Sequence, residues 1–173
     1  MNKYFLDGVL VVEGKEDVSY LSTFIDTLYF ITNGFDVSEE KLNFLQRVSE
    51  VNKVFVLTDN DDAGEKIRST IKSKISGVFV IKTEEIYKNN AKKRGIAETS
   101  KEAIINSLDS YLSKEKKCSS HPDYNLNIII SLSQDPHVAK EQLVNKYRLI
   151  NGNIKFLEKQ LQMLKIEPQE LWK

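Results

Sequence analysis

Lys53-Val-Phe-Val-Leu-Thr-Asp-Asn-Asp-Asp-Ala-Gly-Glu-Lys-Ile-Arg68 is the stretch on which the reading of the fold turns. It opens with four apolar residues, Val54 to Leu57, and stops at Thr58 and Asp59. A short unbroken apolar run of this kind is the mark of a strand buried on both faces. From Gly64 to about Ser76, Ile67, Ile71 and Ile75 recur every four residues, which predicts a helix closed by Gly77. Val78-Phe-Val-Ile81 is the next strand. A strand, a helix and a second strand in this order form a parallel pair with a right-handed crossover.

The same grammar extends towards the start of the chain. Gly8-Val-Leu-Val-Val-Glu-Gly14 reads as a strand ending at an acid and a glycine. Lys15 to Leu28 has apolar residues at helical spacing, and Tyr29-Phe-Ile-Thr32 is a second strand. Ser38 caps a helix that presents Leu42, Leu45 and Val48 on one face. The expected fold class is α/β, a parallel sheet flanked by helices. In such sheets the functional crevice lies beyond the carboxyl ends of the strands, where Glu13 and Asp59 both fall. Further on, 82–97 is polar and reads as an exposed loop, and Ser100 caps a helix running to about Ser113. The remainder is helical: a short apolar segment at 125–133, a helix begun by Asp135-Pro136, and a last amphipathic helix carrying Ile154, Leu157, Leu161 and Leu164. The expected organisation is a catalytic α/β domain over 1–113, a linker over 114–122 and a small all-helical domain over 123–173.

Composition narrows the class. Hydrophobic content of 40% and charged content of 29% are ordinary for a globular protein. A single cysteine, Cys118, excludes an intrachain disulfide and makes a reducing cytoplasm the default compartment. The start of the chain meets Asp7 too early for a signal peptide, and no apolar run is long enough for a bilayer, so no membrane association is expected. Net charge is zero, but residues 1–62 hold 5 basic and 12 acidic side chains, whereas 63–136 hold 13 and 9 and 137–173 hold 7 and 4. An acidic front followed by a basic remainder suits a cation-holding site beside a phosphate-binding surface.

Glu13, Asp59 and Asp61 are the acids expected to meet if their strands are neighbours. Two carboxylates about 4 Å apart repel by roughly 4 kcal/mol at an effective dielectric near 20, so such a group favours a cation between its members. Oxygen donors without histidine or cysteine select Mg²⁺ or Mn²⁺ over Zn²⁺. The chemistry such a centre serves is phosphodiester cleavage, with Glu13 also placed for proton transfer. Asp62 points elsewhere if Asp61 faces the site. The competing reading of Asp59 to Asp62 alone is a turn entering a helix N-terminus, where acids are favoured anyway.

The strand–Glu-Gly at the front and the strand–Asp-x-Asp in the middle resemble the Toprim domain of bacterial primases, topoisomerases and small nucleases. Val11-Val-Glu-Gly-Lys-Glu-Asp17, Thr32-Asn-Gly34, Leu57-Thr-Asp-Asn-Asp-Asp-Ala-Gly-Glu-Lys-Ile-Arg68 and Lys93-Arg-Gly-Ile96 occur in an order similar to the ribonuclease M5 family. The stretch 151–165 is similar to that family's C-terminal helical domain. The resemblance implies a Toprim-type sheet and an Mg²⁺-dependent endoribonuclease that trims the paired stem of precursor 5S rRNA. It also implies recognition of that RNA in complex with a large-subunit ribosomal protein. Glu13, Asp59 and Asp61 become the metal-binding and catalytic residues, and Glu98 is a further candidate ligand. The chain departs from the family pattern in having Asn60 between the aspartates and Asp62-Ala63 after them.

Lys66 and Arg68 open a helix beside the aspartates and are candidates for gripping phosphates; Lys92, Lys93 and Arg94 are candidates for tracking the RNA backbone. Three other readings remain open: a Toprim nuclease acting on DNA, a phosphoacceptor signalling domain with Asp59 as acceptor and Lys82 as its lysine, and a non-catalytic RNA-binding protein.

Overall fold

The computed structural model describes residues 3–34, 37–84, 95–114 and 122–171. The chain divides into two compact units, Met1–Lys117 and Cys118–Lys173. The first holds strands β1 (Tyr4–Val12), β2 (Ile25–Ile31), β3 (Val54–Leu57), β4 (Phe79–Ile81) and β5 (Leu112–Ser113), with helices α1 (Lys15–Leu21), α2 (Glu39–Val51), α3 (Asp62–Lys74) and α4 (Lys101–Leu108). The sheet order is β2-β1-β3-β4, all parallel. A third partner of β1, the antiparallel β5, lies against its first half at Phe5 and Leu6.

Val9 to Val12 and Val54 to Leu57 are buried without interruption, as a sheet covered on both faces requires. Their alternate side chains serve different layers. Leu10, Val12, Phe55 and Leu57 pack with Leu21 of α1 and with Ile104 and Leu108 of α4. On the opposite face Val11 is in register with Phe30, which stacks on Phe44 of α2, and α2 in turn touches α3. Each fully buried aliphatic side chain contributes about 1.5–3 kcal/mol of transfer free energy, so the two central strands anchor whatever is mounted at their ends.

Helix ends follow the local chemistry. Ser38 accepts from the Lys41 N–H at 3.4 Å and Ser100 from the Ala103 N–H at 3.2 Å, as their capping positions demand. Two boundaries differ from the sequence expectation. The first helix stops at Leu21 rather than Leu28, and β2 begins at Ile25. Phe24, Ile25 and Leu28 fit a helical face by spacing, but Ile25 to Ile31 is rich in β-branched and aromatic residues and pairs with β1 from Tyr4↔Ile25 to Val12↔Ile31. Likewise α4 ends at Leu108, and Leu112 and Ser113 leave helix to form β5.

The second unit contains α5 (Leu126–Ser131), α6 (Pro136–Tyr147) and α7 (Ile154–Met163). Asp135 accepts from the N–H groups of His137 and Val138, with Pro136 in the first turn. Leu126, Leu157, Leu161 and Met163 form its core around one buried polar side chain. That side chain, Gln160, is fully satisfied: its Oε1 accepts from the Ile150 N–H at 2.7 Å and its Nε2 donates to the Ile150 carbonyl at 2.8 Å. Among the described residues no helix is long and apolar enough to cross a membrane.

Candidate active site

Because β1 and β3 are hydrogen-bonded neighbours, the residues that follow them emerge side by side. The Asp59 N–H donates to Glu13 Oε1 at 2.8 Å, joining the ends of the two strands through an acidic side chain. The Asp59 carboxylate is held from a third direction: its Oδ1 accepts from the Ile96 N–H at 2.7 Å. Asp61 caps α3 by accepting from the Gly64 N–H at 2.8 Å. Glu98 accepts from the Gly95 N–H at 3.2 Å, and Asp17 from the Gly14 N–H at 2.9 Å. All five carboxylates line one open cleft of about 870 Å³ at the carboxyl ends of the strands.

Two close approaches build this cleft. A methyl group on Gly64 would sit 2.1 Å from the Asp59 carbonyl oxygen, so only glycine lets α3 press against the main chain of Asp59. A methyl group on Gly95 would sit 2.9 and 3.1 Å from the two Asp59 carboxylate oxygens and 3.1 Å from Glu98 Oε2. Gly34, at φ +108, makes the positive-φ turn after β2, whereas Gly14 is extended and any residue could adopt its backbone.

The electrostatics are those of crowded like charges. Burial is the first cause that raises the Glu13 carboxyl above its ordinary range, with the charges of Asp59, Asp61 and Asp17 adding to it. Asp59 is raised chiefly by burial and further by Asp61 and Glu98, against the Ile96 N–H and Arg68, which lower it. Asp17 is raised by burial, then by Asp59 and Glu98. Each acid is therefore sensitive to the charge of the others.

Comparisons with known proteins give the chain a family. The Toprim domain matches residues 8–99. The chain is similar to ribonuclease M5 of Mycoplasma genitalium, with 31% identity over 173 residues, covering 97% of this chain and 94% of the relative. It is 34% identical over 151 residues to ribonuclease M5 of Mesoplasma florum, covering 84% and 79% respectively. The chain belongs to the ribonuclease M5 family. In fold it is similar to a solved small Toprim domain protein from Bacillus stearothermophilus, with a TM-score of 0.50 and 24% identity, covering 61% of this chain and 88% of that one. As a member of the ribonuclease M5 family the chain is a nuclease.

Within this chain the residues singled out from sequence fall into three groups. Glu13 and Asp59 meet directly, and Asp61 shares their cleft with one oxygen committed to the cap of α3. Glu98 also reaches the cleft, while Asp62 is exposed in the first turn of α3. Lys66 is exposed on α3. Arg68 differs from the expectation of a phosphate-gripping side chain. It is 4% exposed and turned inward, because its Nε, Nη1 and Nη2 are all taken up by Thr58, Asp59 and Glu65. Lys92, Lys93 and Arg94 lie outside the described residues. Asp17 is the member of the cluster that sequence reasoning passed over. Its place in the first turn after Glu13-Gly14 is legible, but its burial is not.

The donor set suits a hard divalent cation. Carboxylates line the cleft, with no histidine or cysteine among the described residues that line it, and their mutual repulsion is relieved by positive charge. Among the described residues no group of three or more histidine, cysteine or acidic side chains is assembled as a metal-binding set.

Proposed function

We propose that this protein is an Mg²⁺-dependent endoribonuclease that cleaves the double-stranded stem of precursor 5S rRNA, Mn²⁺ serving in place of Mg²⁺. Glu13, Asp59 and Asp61 are the metal-holding and catalytic residues in this reading, the first unit is the catalytic domain, and the helical unit positions the RNA. The substrate is the precursor 5S rRNA carried by a large-subunit ribosomal protein, in the cytoplasm. The observation that carries the reading is the bond from the Asp59 N–H to Glu13 Oε1, which sets two carboxylates of separate strands in one acidic cleft of a ribonuclease M5 family chain.

The residues divide the work by which oxygens are already bonded. Glu13 Oε1 and Asp59 Oδ1 accept main-chain N–H groups, so Glu13 Oε2 and Asp59 Oδ2 are the oxygens left for chemistry. Asp59 and Asp61 would hold the ion, which would supply polarisation of the phosphate and acidification of a water. Glu13, its carboxyl raised by burial and by its acidic neighbours, takes up or returns a proton at Oε2. A paired A-form stem is read through its backbone and shape, so affinity falls with salt.

The test is incubation with precursor 5S RNA, with and without the ribosomal protein, in Mg²⁺ and in EDTA, with duplex DNA as a parallel substrate. Cleavage of the RNA confined to Mg²⁺ or Mn²⁺ and lost in Asp59→Asn and Glu13→Gln is the expected result. Cleavage in EDTA, or by Asp59→Asn at the wild-type rate, overturns the assignment; cleavage of DNA in preference to the RNA overturns the substrate.

A further inference from the structure

Arg68 lies on α3 beside Ile67 and one turn before Ile71, both of which fill the core, yet it keeps a charged guanidinium at 4% exposure. Burying such a group is costly unless its hydrogens are matched, and an aliphatic side chain would pack the same helix face without that cost. The bonds it makes are specific. Nη1 donates to the Thr58 carbonyl at 3.1 Å, to Thr58 Oγ1 at 2.7 Å and to the Asp59 carbonyl at 2.8 Å. Nε and Nη2 donate to Glu65 Oε2 at 3.2 and 2.9 Å, and Lys82 Nζ reaches that same oxygen at 3.3 Å. A line of charge thus runs from Lys82, just after β4, through Glu65 and Arg68 to the main chain of Asp59.

Asp59 is fastened on three sides by three different parts of the chain. Its N–H goes to Glu13 after β1, its carboxylate receives the Ile96 N–H, and its carbonyl receives Arg68 from α3. The contact between Gly64 and the Asp59 carbonyl leaves no slack on that side. Arg68 itself does not line the cleft. Resting on the function proposed above, we infer that Arg68 is a positioning residue: it fixes the main chain of Asp59, and Glu65 with Lys82 holds the guanidinium in the plane that does so. A lysine cannot replace it, because the two adjacent carbonyls and the Glu65 carboxylate are reached together only by a planar fork. Partners of this kind behind a metal-holding residue set affinity and rate by about 10–100-fold when lost.

The experiment measures Mn²⁺ binding to the full chain without RNA, by water-proton relaxation, and kcat and KM on precursor 5S RNA, for wild type, Arg68→Lys and Glu65→Gln. Glu65 is on the surface, with a side chain 55% exposed, so its variant keeps the fold even if Arg68→Lys does not. A positioning role predicts Mn²⁺ affinity and kcat reduced about tenfold or more in Arg68→Lys, and less in Glu65→Gln, with KM for RNA within about twofold of wild type. Variants that melt lower but bind Mn²⁺ and turn over as wild type does, at a temperature where they are folded, overturn the positioning role alone. A wild-type chain that binds no Mn²⁺ overturns the proposed function and this inference together.

Discussion

Replacing Asp59 by asparagine should make the metal-free protein more stable while abolishing its catalysis. A single point 2.9 Å from Asp59 Oδ2 and 3.1 Å from Glu98 Oε2 bounds the separation of those two oxygens. They are therefore no more than about 6 Å apart, and two unit charges at that distance repel by about 2.8 kcal/mol at an effective dielectric of 20. Both side chains are partly open to water, which discounts the realised gain to about 1 kcal/mol. The Asp59→Asn side chain keeps an oxygen to accept the Ile96 N–H, so the bond at 2.7 Å is not lost with the charge. The assay is thermal unfolding in EDTA at neutral pH, where about 1 kcal/mol raises Tm by about 2–4 °C for a chain of this size. Mg²⁺ at about ten times its Kd then adds about 1.4 kcal/mol to wild type and little to the variant, reversing the order. pH gives a second reading. The folded-state values of Asp59 and Glu13 lie above their ordinary values of 3.8 and 4.5, so the folded form holds protons more tightly than the unfolded. Stability is then fullest below those ordinary values and falls as pH rises through the raised ones, with a shallower fall in Asp59→Asn. An Asp59→Asn protein that melts below wild type in EDTA refutes the account of the cleft as a cluster of repelling charges.

Gly64→Ala should cost about 3 kcal/mol or more, since a methyl 2.1 Å from a backbone oxygen forces main chain apart; a Tm within about 2 °C of wild type would refute the close approach. Gly95→Ala meets only the ends of two carboxylates, so it should leave Tm nearly unchanged while cutting RNA cleavage about tenfold or more in a single-turnover assay. Gln160→Leu strands the N–H and carbonyl of Ile150 and should destabilise the helical unit by about 2–4 kcal/mol, read as faster hydrogen exchange in α7.

Sequence revealed the scaffold where periodicity and chemistry agreed. The apolar runs that end at Glu13 and Asp59 marked two buried strands, and Ser38, Ser100 and Asp135 marked helix starts that the structure contains. Phe24, Ile25 and Leu28 misled because the same spacing satisfies a helix face and an irregularly buried strand; pairing with β1 decided between them. The depth of Asp17 and the inward turn of Arg68 were not legible for a common reason. Both depend on which neighbours fold over them, and local sequence carries no record of those neighbours. The short β5 escaped as well, since two residues give no period to detect.

The main-chain N–H groups that grip one oxygen of each acid have an effect on ion selectivity. With Glu13 Oε1 and Asp59 Oδ1 each accepting a main-chain N–H, and Glu13 Oε2 kept for proton transfer, Asp59 meets an incoming cation more readily through Oδ2 alone than through both oxygens. Calcium, which gathers six to eight oxygens and favours bidentate carboxylates, is poorly served by such one-handed ligands, whereas a small octahedral ion with a retained water shell is well served. The main-chain N–H groups of Asp59 and Ile96 thus bear on which ion the acids can take, and an Asn or Gln variant, forced to turn its NH₂ into the open position, presents that ion with two donors in place of an acceptor.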